Sequence, residues 1–181
     1  MIYTEITPNP ASLKFVTGNI LIKKGSADFP NEASVEDAPI VSKLFHFRFV
    51  EAVFIGKNFI TITKTPDFQW EEVIPAMKDF MKSYFESGQP ILTGKYLAEE
   101  EEVIEEGELD QRIRQMIDEN VRPAVAMDGG DIIYQGFDNG VVKLKLQGSC
   151  SGCPSSMITL KAGIEGLLTR MIPEVTSVEA V

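Results

Sequence analysis

Apolar positions recur along the chain with two periods, and the change from one to the other marks out the elements. Residues 13–16, which follow the turn cluster Thr7-Pro-Asn-Pro10, read as a strand. Within 38–47, apolar residues at 40, 41, 44 and 45 keep the spacing of one helix face. Residues 50–55 and 59–64 alternate and are separated by Gly56-Lys-Asn58, which predicts a hairpin. Trp70, Val73, Ile74, Met77, Met81 and Tyr84 then form a helical stripe that stops at Gly88, with Pro75 expected to kink it or to delay its start.

A second set of elements begins at Leu109. Leu109, Ile113, Met116, Ile117 and Val121 line one face of a helix, which Pro123 is expected to end or kink near Val121. Asp128-Gly-Gly-Asp131 turns the chain. Residues 132–137 and 141–147 read as strands joined by Asp138-Asn-Gly140, a strong short-hairpin signal. In the second of them Val142, Leu144 and Leu146 share one face, and Lys143 and Lys145 the other. Met157, Leu160, Ile164, Leu167, Leu168 and Met171 stripe a last helix that ends before Pro173, and 175–181 offer a closing strand.

Between the two sets lies a run of charge. Residues 98–108 carry seven glutamates in eleven positions, and like charges this dense repel and extend the chain. The expected organisation is α+β in two small domains, each a small β-sheet packed against helices. Residues 1–90 form the first, 91–108 an acidic linker and 109–181 the second. No repeat relates the two.

Charge and composition narrow the function. A net charge of −10 argues against nucleic acid as a partner, since phosphate binding needs Lys and Arg. It equally disfavours acidic lipid surfaces, and no apolar run approaches the ~18 residues of a membrane span. The first residues resemble neither a secretory signal nor an Arg-rich transit peptide. The expected compartment is the cytoplasm, or a mitochondrion or other organelle if a presequence has been removed.

The chemistry concentrates in Gln147-Gly-Ser-Cys-Ser-Gly-Cys-Pro-Ser-Ser156, between a strand end and a helix start. Cys150 and Cys153 are the only cysteines, too close together to staple a fold, so a metal-binding or reactive pair in a reducing compartment is the better reading. Gly148 and Gly152 allow tight turning, and Pro154 suits a first helical turn. The unpaired N–H groups of the helix start should lower the thiolate pKa. Iron–sulfur clusters and structural zinc both want four ligands. The one histidine, His46, lies in the other unit in an apolar helical stretch where packing suits it better than ligation. Two ligands close neither site, so two chains would contribute a pair each. A thiol–disulfide oxidoreductase also places its pair between a strand and a helix. Against it, a hairpin precedes the motif and only 28 residues follow Cys153.

These residues carry a family resemblance. Leu146-Gln-Gly-Ser-Cys-Ser-Gly-Cys-Pro-Ser-Ser-Met-Ile-Thr-Leu-Lys161, with Asp128-Gly-Gly-Asp131 upstream and Ile172-Pro-Glu-Val175 downstream, resembles the C-terminal domain of NifU and the Nfu proteins. Thr7-Pro-Asn-Pro-Ala-Ser-Leu-Lys-Phe15, Leu44-Phe45, Val53-Phe-Ile-Gly56, Phe59-Ile-Thr-Ile-Thr-Lys64 and Trp70 resemble the Nfu N-terminal domain. The resemblance implies an iron–sulfur cluster carrier or late-acting scaffold, not an enzyme, with no catalytic residue to carry over. It implies a [4Fe–4S] cluster, with [2Fe–2S] as the smaller alternative, bridging a homodimer through Cys150 and Cys153 of each chain. An upstream scaffold would be the donor, and apo iron–sulfur proteins the recipients. The aspartates of Asp128-Gly-Gly-Asp131 would stand behind the ligands or simply shape the turn. The runners-up are the oxidoreductase and a dimer bridged by a four-thiolate zinc.

Overall fold

The computed structural model describes residues 1–97, 107–151 and 153–181, and for Ser156 the backbone alone. The chain divides into two compact units, Met1–Glu100 and Glu101–Val181. Most of the acidic run, 98–106, lies outside the described residues, so its reading as a linker stays a proposal.

The first unit is a five-stranded antiparallel sheet with helices on one face. Its elements are β1 (Ile2–Ile6), β2 (Ser12–Thr17), β3 (Ala27–Phe29), α1 (Pro39–Leu44), β4 (Val50–Ile55), β5 (Phe59–Lys64) and α2 (Trp70–Glu86). The strand order is β1-β2-β5-β4-β3. The expected strand and hairpin are present, and β1 and β3 are added at the two edges. Phe15, Ile60 and Ile62 of the central strands meet Ile40 and Leu44 of α1 and Met77 and Met81 of α2 in the core. Helix α2 runs unbroken through Pro75 from Trp70, so the start is not delayed. Its first turn is tied down by the Trp70 indole N–H, which donates to the Pro10 carbonyl at 3.0 Å, and by the Glu72 carboxylate, which accepts from the Gln69 N–H at 3.3 Å.

Two details differ from the sequence reading. Residues 91–96, placed at the head of the linker, pack onto this unit. Leu92 is buried, Ile91 and Tyr96 lie against the core, and the Thr93 N–H donates to the Asp37 carbonyl at 2.7 Å. His46, expected to pack, is exposed in the turn after α1, because the helix ends at Leu44 and turns the imidazole outward.

The second unit contains α3 (Glu108–Met116), α4 (Arg122–Met127), β6 (Gly130–Asp138), β7 (Val141–Gly148), α5 (Pro154–Met171) and β8 (Ser177–Ala180). Helices α3 and α4 are joined by a π-helical turn, Ile117–Val121. Pro123 therefore neither ends the helix nor breaks it. The wider turn relieves the clash of its ring with a preceding carbonyl, and Pro123 sits at the second position of α4. Ile113, Ile117, Val121 and Val125 bury one face, four residues apart. Strands β6 and β7 form the expected hairpin. Asn139 (φ 47°) and Gly140 (φ 82°) are both left-handed, as a two-residue primed turn requires.

Helix α5 carries the chain back to lay β8 parallel to β7, in the order β6-β7-β8. The Cys150–Cys153 segment thus opens a β–α–β crossover that the sequence did not disclose. Val142, Leu144 and Leu146 face the helices, with Ile164 and Leu168 of α5, and Lys143 and Lys145 face out. Met171, expected in the core stripe, is exposed at the end of α5. Among the described residues no helix is long and apolar enough to cross a membrane.

Candidate metal centre

The strand β7 ends at Gly148, whose φ of +71° turns the chain out of the sheet in a conformation that disfavours any side chain. The Ser151 N–H and hydroxyl both donate to the Gly148 carbonyl, at 3.2 and 2.9 Å, closing a tight turn around Cys150. Gly152, the other glycine expected to shape the loop, lies outside the described residues. Cys153 caps α5 with extended backbone (φ −117°, ψ 109°), and its carbonyl accepts the first helical N–H, from Met157 at 3.0 Å. Pro154 takes the first helical position, where a missing N–H leaves nothing unpaired.

The two thiols stand in different surroundings, and neither is in a disulfide. Cys153 is half-buried, its sulfur 3.2 Å from the Ser155 hydroxyl. Cys150 is 2% exposed and belongs to the core of the second unit. Burial pushes its thiol up from the usual range, the nearby Asp128 carboxylate adds to this, and the Ser149 hydroxyl, 3.9 Å from the sulfur, offsets part of it. The expectation of a lowered pKa is thus overturned for Cys150. Desolvation of the thiolate by burial is the largest cause.

The turn Asp128–Asp131 cradles Cys150 through its backbone. The Asp128 carbonyl accepts the Ser149 hydroxyl, and the Gly129 carbonyl accepts the Ser149 N–H at 3.4 Å. Gly129 supplies a left-handed residue (φ 82°), while Gly130 supplies space. A Cβ on Gly130 would lie 2.4 Å from the Gln147 carbonyl oxygen and 3.0 Å from the Cys150 sulfur. Asp131 is buried and accepts the Ile132 N–H at 2.8 Å. Its carboxylate pairs with Arg122 at 3.2 Å, and Arg122 also reaches the Ile132 carbonyl at 3.0 Å. The Asp131 carboxylate thus serves the turn, while that of Asp128 acts on the Cys150 thiol through its charge.

Gly130 and Ser149 are the residues that sequence reasoning missed. The tandem glycine was the available signal, since a turn of this kind needs only one left-handed residue. Thiols are donors of a kind that suits a soft metal, and two are fewer than the four that zinc or an iron–sulfur cluster takes. Two thiols stand at one loop, and among the described residues no group of three or more His, Cys, Asp and Glu side chains is arranged to hold a metal ion.

Comparison with known proteins bears on both units. Residues 113–179 match the family model described as NifU-like domain, and residues 2–88 match that described as scaffold protein Nfu/NifU N terminal. The chain is 43% identical over 182 aligned positions to the mitochondrial NFU1 iron-sulfur cluster scaffold homolog of Drosophila ananassae, covering 99% of this chain and 64% of that protein. It is 42% identical to the Homo sapiens protein of the same name, covering 99% of this chain and 71% of that one. This chain therefore spans just under two thirds of the length of the Drosophila relative. A solution NMR structure of a NifU-like protein from Saccharomyces cerevisiae aligns at 24% identity and a TM-score of 0.46, over 52% of this chain and 86% of that one.

Proposed function

Since the chain belongs to the Nfu family of iron–sulfur cluster scaffold proteins, we propose that it binds an iron–sulfur cluster between two copies of itself and passes it to apo-proteins. The cluster is cargo. The observation that carries the reading is a pair of thiols, Cys150 and Cys153, on one turn at the start of α5, in a chain with no further cysteine. Four thiolates hold the common clusters. Two copies, related by a two-fold axis through the site, supply them. A [4Fe–4S] cluster is the cargo that the family resemblance favours, and [2Fe–2S] is the smaller alternative.

Such a site opens by separating chains instead of unfolding one. A recipient's thiolates can then replace those of one copy, one ligand at a time, each copy taking back protons as its thiolates leave iron. This makes the protein a binding and transfer device rather than a turnover enzyme. Upstream assembly scaffolds are the donors and apo iron–sulfur proteins the recipients. The names of the relatives place those proteins in mitochondria. An organelle therefore stands beside the cytoplasm as a compartment for this chain, and thiols kept reduced suit either.

The oxidoreductase reading loses ground on one observation. The first cysteine of such a motif attacks as an exposed, acidified thiolate, whereas Cys150 is buried and its thiol is pushed up. Anaerobic purification with metal and sulfide analysis is the test. Iron and sulfide in equal amounts support the proposal. Zinc, or no metal after reconstitution, overturns it.

A further inference from the structure

A thiolate that ligates iron shared with a second chain has to reach that iron. Cys150, at 2% exposure, does not. Its sulfur lies over Gly130, in a space that only glycine leaves open. The residue before it explains how it is kept there. Ser149 is 1% exposed, and a hydroxyl so buried is costly unless bonded. It is bonded, to the Asp128 carbonyl, while its N–H donates to the Gly129 carbonyl. Both bonds cross from the cysteine loop to the turn before β6, and Arg122 pins that turn through Asp131. Cys153, three residues on, is half-exposed at the helix cap.

Resting on the cluster reading above, we propose that Ser149 and the Asp128–Gly129 backbone form a latch that holds Cys150 inside the apo domain and must release before the cysteine can ligate. Ser149 is a positioning residue, acting through Cys150. The latch sets how tightly the cargo is held, because the apparent affinity of a ligand falls by the fraction of protein in the competent state. Closing it again after handover favours departure of the cluster, which suits a carrier better than a permanent holder. It also keeps an unloaded chain from presenting two adjacent thiols to oxidants.

The test starts on the apo protein with no iron present, so it is decided separately from the cluster reading. Native protein is alkylated anaerobically with iodoacetamide, and Cys150 and Cys153 are quantified by peptide mass spectrometry. Wild type should label Cys153 well ahead of Cys150. Ser149→Ala should raise the Cys150 rate about twofold to tenfold, the effect of one neutral hydrogen bond, with Cys153 unchanged, and Ser149→Thr should restore protection. Reconstituted Ser149→Ala should retain more cluster than wild type at equilibrium with a competing chelator, its apparent affinity raised by at least a similar factor. Equal labelling of the two cysteines in wild type overturns the latch. So does a well-folded Ser149→Ala with unchanged Cys150 labelling. Should that variant fail to fold, wild type in rising urea decides. Labelling of Cys150 below the global transition supports local release, and labelling only with global unfolding overturns it.

Discussion

Substituting Gly130 by alanine probes the packing of the cysteine loop at one atom. The added Cβ would sit 2.4 Å from the main-chain oxygen of Gln147 and 3.0 Å from the Cys150 sulfur. The first contact is with backbone of a paired strand, which cannot swing aside as a side-chain tip can. Overpacking of this kind costs about 1–3 kcal/mol. Gly130 has no left-handed φ, so alanine recovers roughly 0.5–1 kcal/mol of backbone entropy. The two terms bracket a net loss of roughly 0–2.5 kcal/mol, and a 2.4 Å approach to main chain that cannot yield places it in the upper half of that range, with the strain directed at Cys150. Gly163 is the control. It lies on the exposed face of α5 with nothing within 4 Å of its would-be Cβ, and alanine there should gain roughly 1 kcal/mol.

Urea unfolding followed by far-UV circular dichroism reads both units. The one tryptophan, Trp70, lies in the first unit, so its fluorescence reports that unit alone. Gly130→Ala should lower the circular-dichroism transition of the second unit and leave the Trp70 transition in place, and Gly163→Ala should raise the former. A Gly130→Ala protein as stable as wild type would refute the close packing of turn and cysteine loop.

Further outcomes follow from the same geometry. Cys150→Ala and Cys153→Ala should each abolish cluster binding while leaving circular dichroism and the Trp70 transition intact, since each removes two ligands from a symmetric site; a single variant that assembles as much cluster as wild type contradicts the ligand set. Burial pushes the Cys150 thiol up, so the folded state keeps its proton to higher pH than the unfolded chain does. That stabilisation is full below the ordinary thiol range, about 8.5, and is lost as pH rises through the higher folded value. The second unit's urea midpoint should therefore fall on the alkaline side of about pH 8.5 and fall less in Cys150→Ala; identical pH profiles contradict it. Gly140→Ala should destabilise the second unit by more than about 1 kcal/mol, because φ is +82° there and a Cβ would lie 2.5 Å from the Thr176 hydroxyl; an unchanged urea midpoint would contradict the primed turn.

Much of this architecture is legible without coordinates, and the reasons for the exceptions are physical. The β6–β7 hairpin announces itself because Asn139 and Gly140 are the residue types that tolerate left-handed conformations, and Val142, Leu144 and Leu146 alternate against two lysines. Helix α5 is legible from its stripe and from Pro154. The edge strands of the first sheet are not. β3 has three residues, too few to show a period, and β1 is half-covered along only part of its length. The direction of β8 is invisible because alternation is the same for parallel and antiparallel strands. Pro123, expected to end or kink the helix near Val121, is met by a π turn that stops at Val121: the wider bonding lets the helical path continue past the proline, which the sequence pattern does not show.

At the site, the two cysteines and the strand-to-helix setting are readable from spacing alone. Their unequal burial is not. A glycine- and serine-rich loop looks solvent-exposed, yet contacts with a turn some twenty residues earlier in the chain bury Cys150.

The central claim is that two chains share one cluster through Cys150 and Cys153. Anaerobic reconstitution, with iron and sulfide analysis and light-scattering mass determined on the same sample before and after loading, tests it most directly. For the favoured [4Fe–4S] cargo the account predicts four iron and four sulfide per two chains. It also predicts a shift on loading from the 20.1 kDa monomer toward twice that mass. A cluster on a strictly monomeric chain, with no other thiol source present, would contradict it.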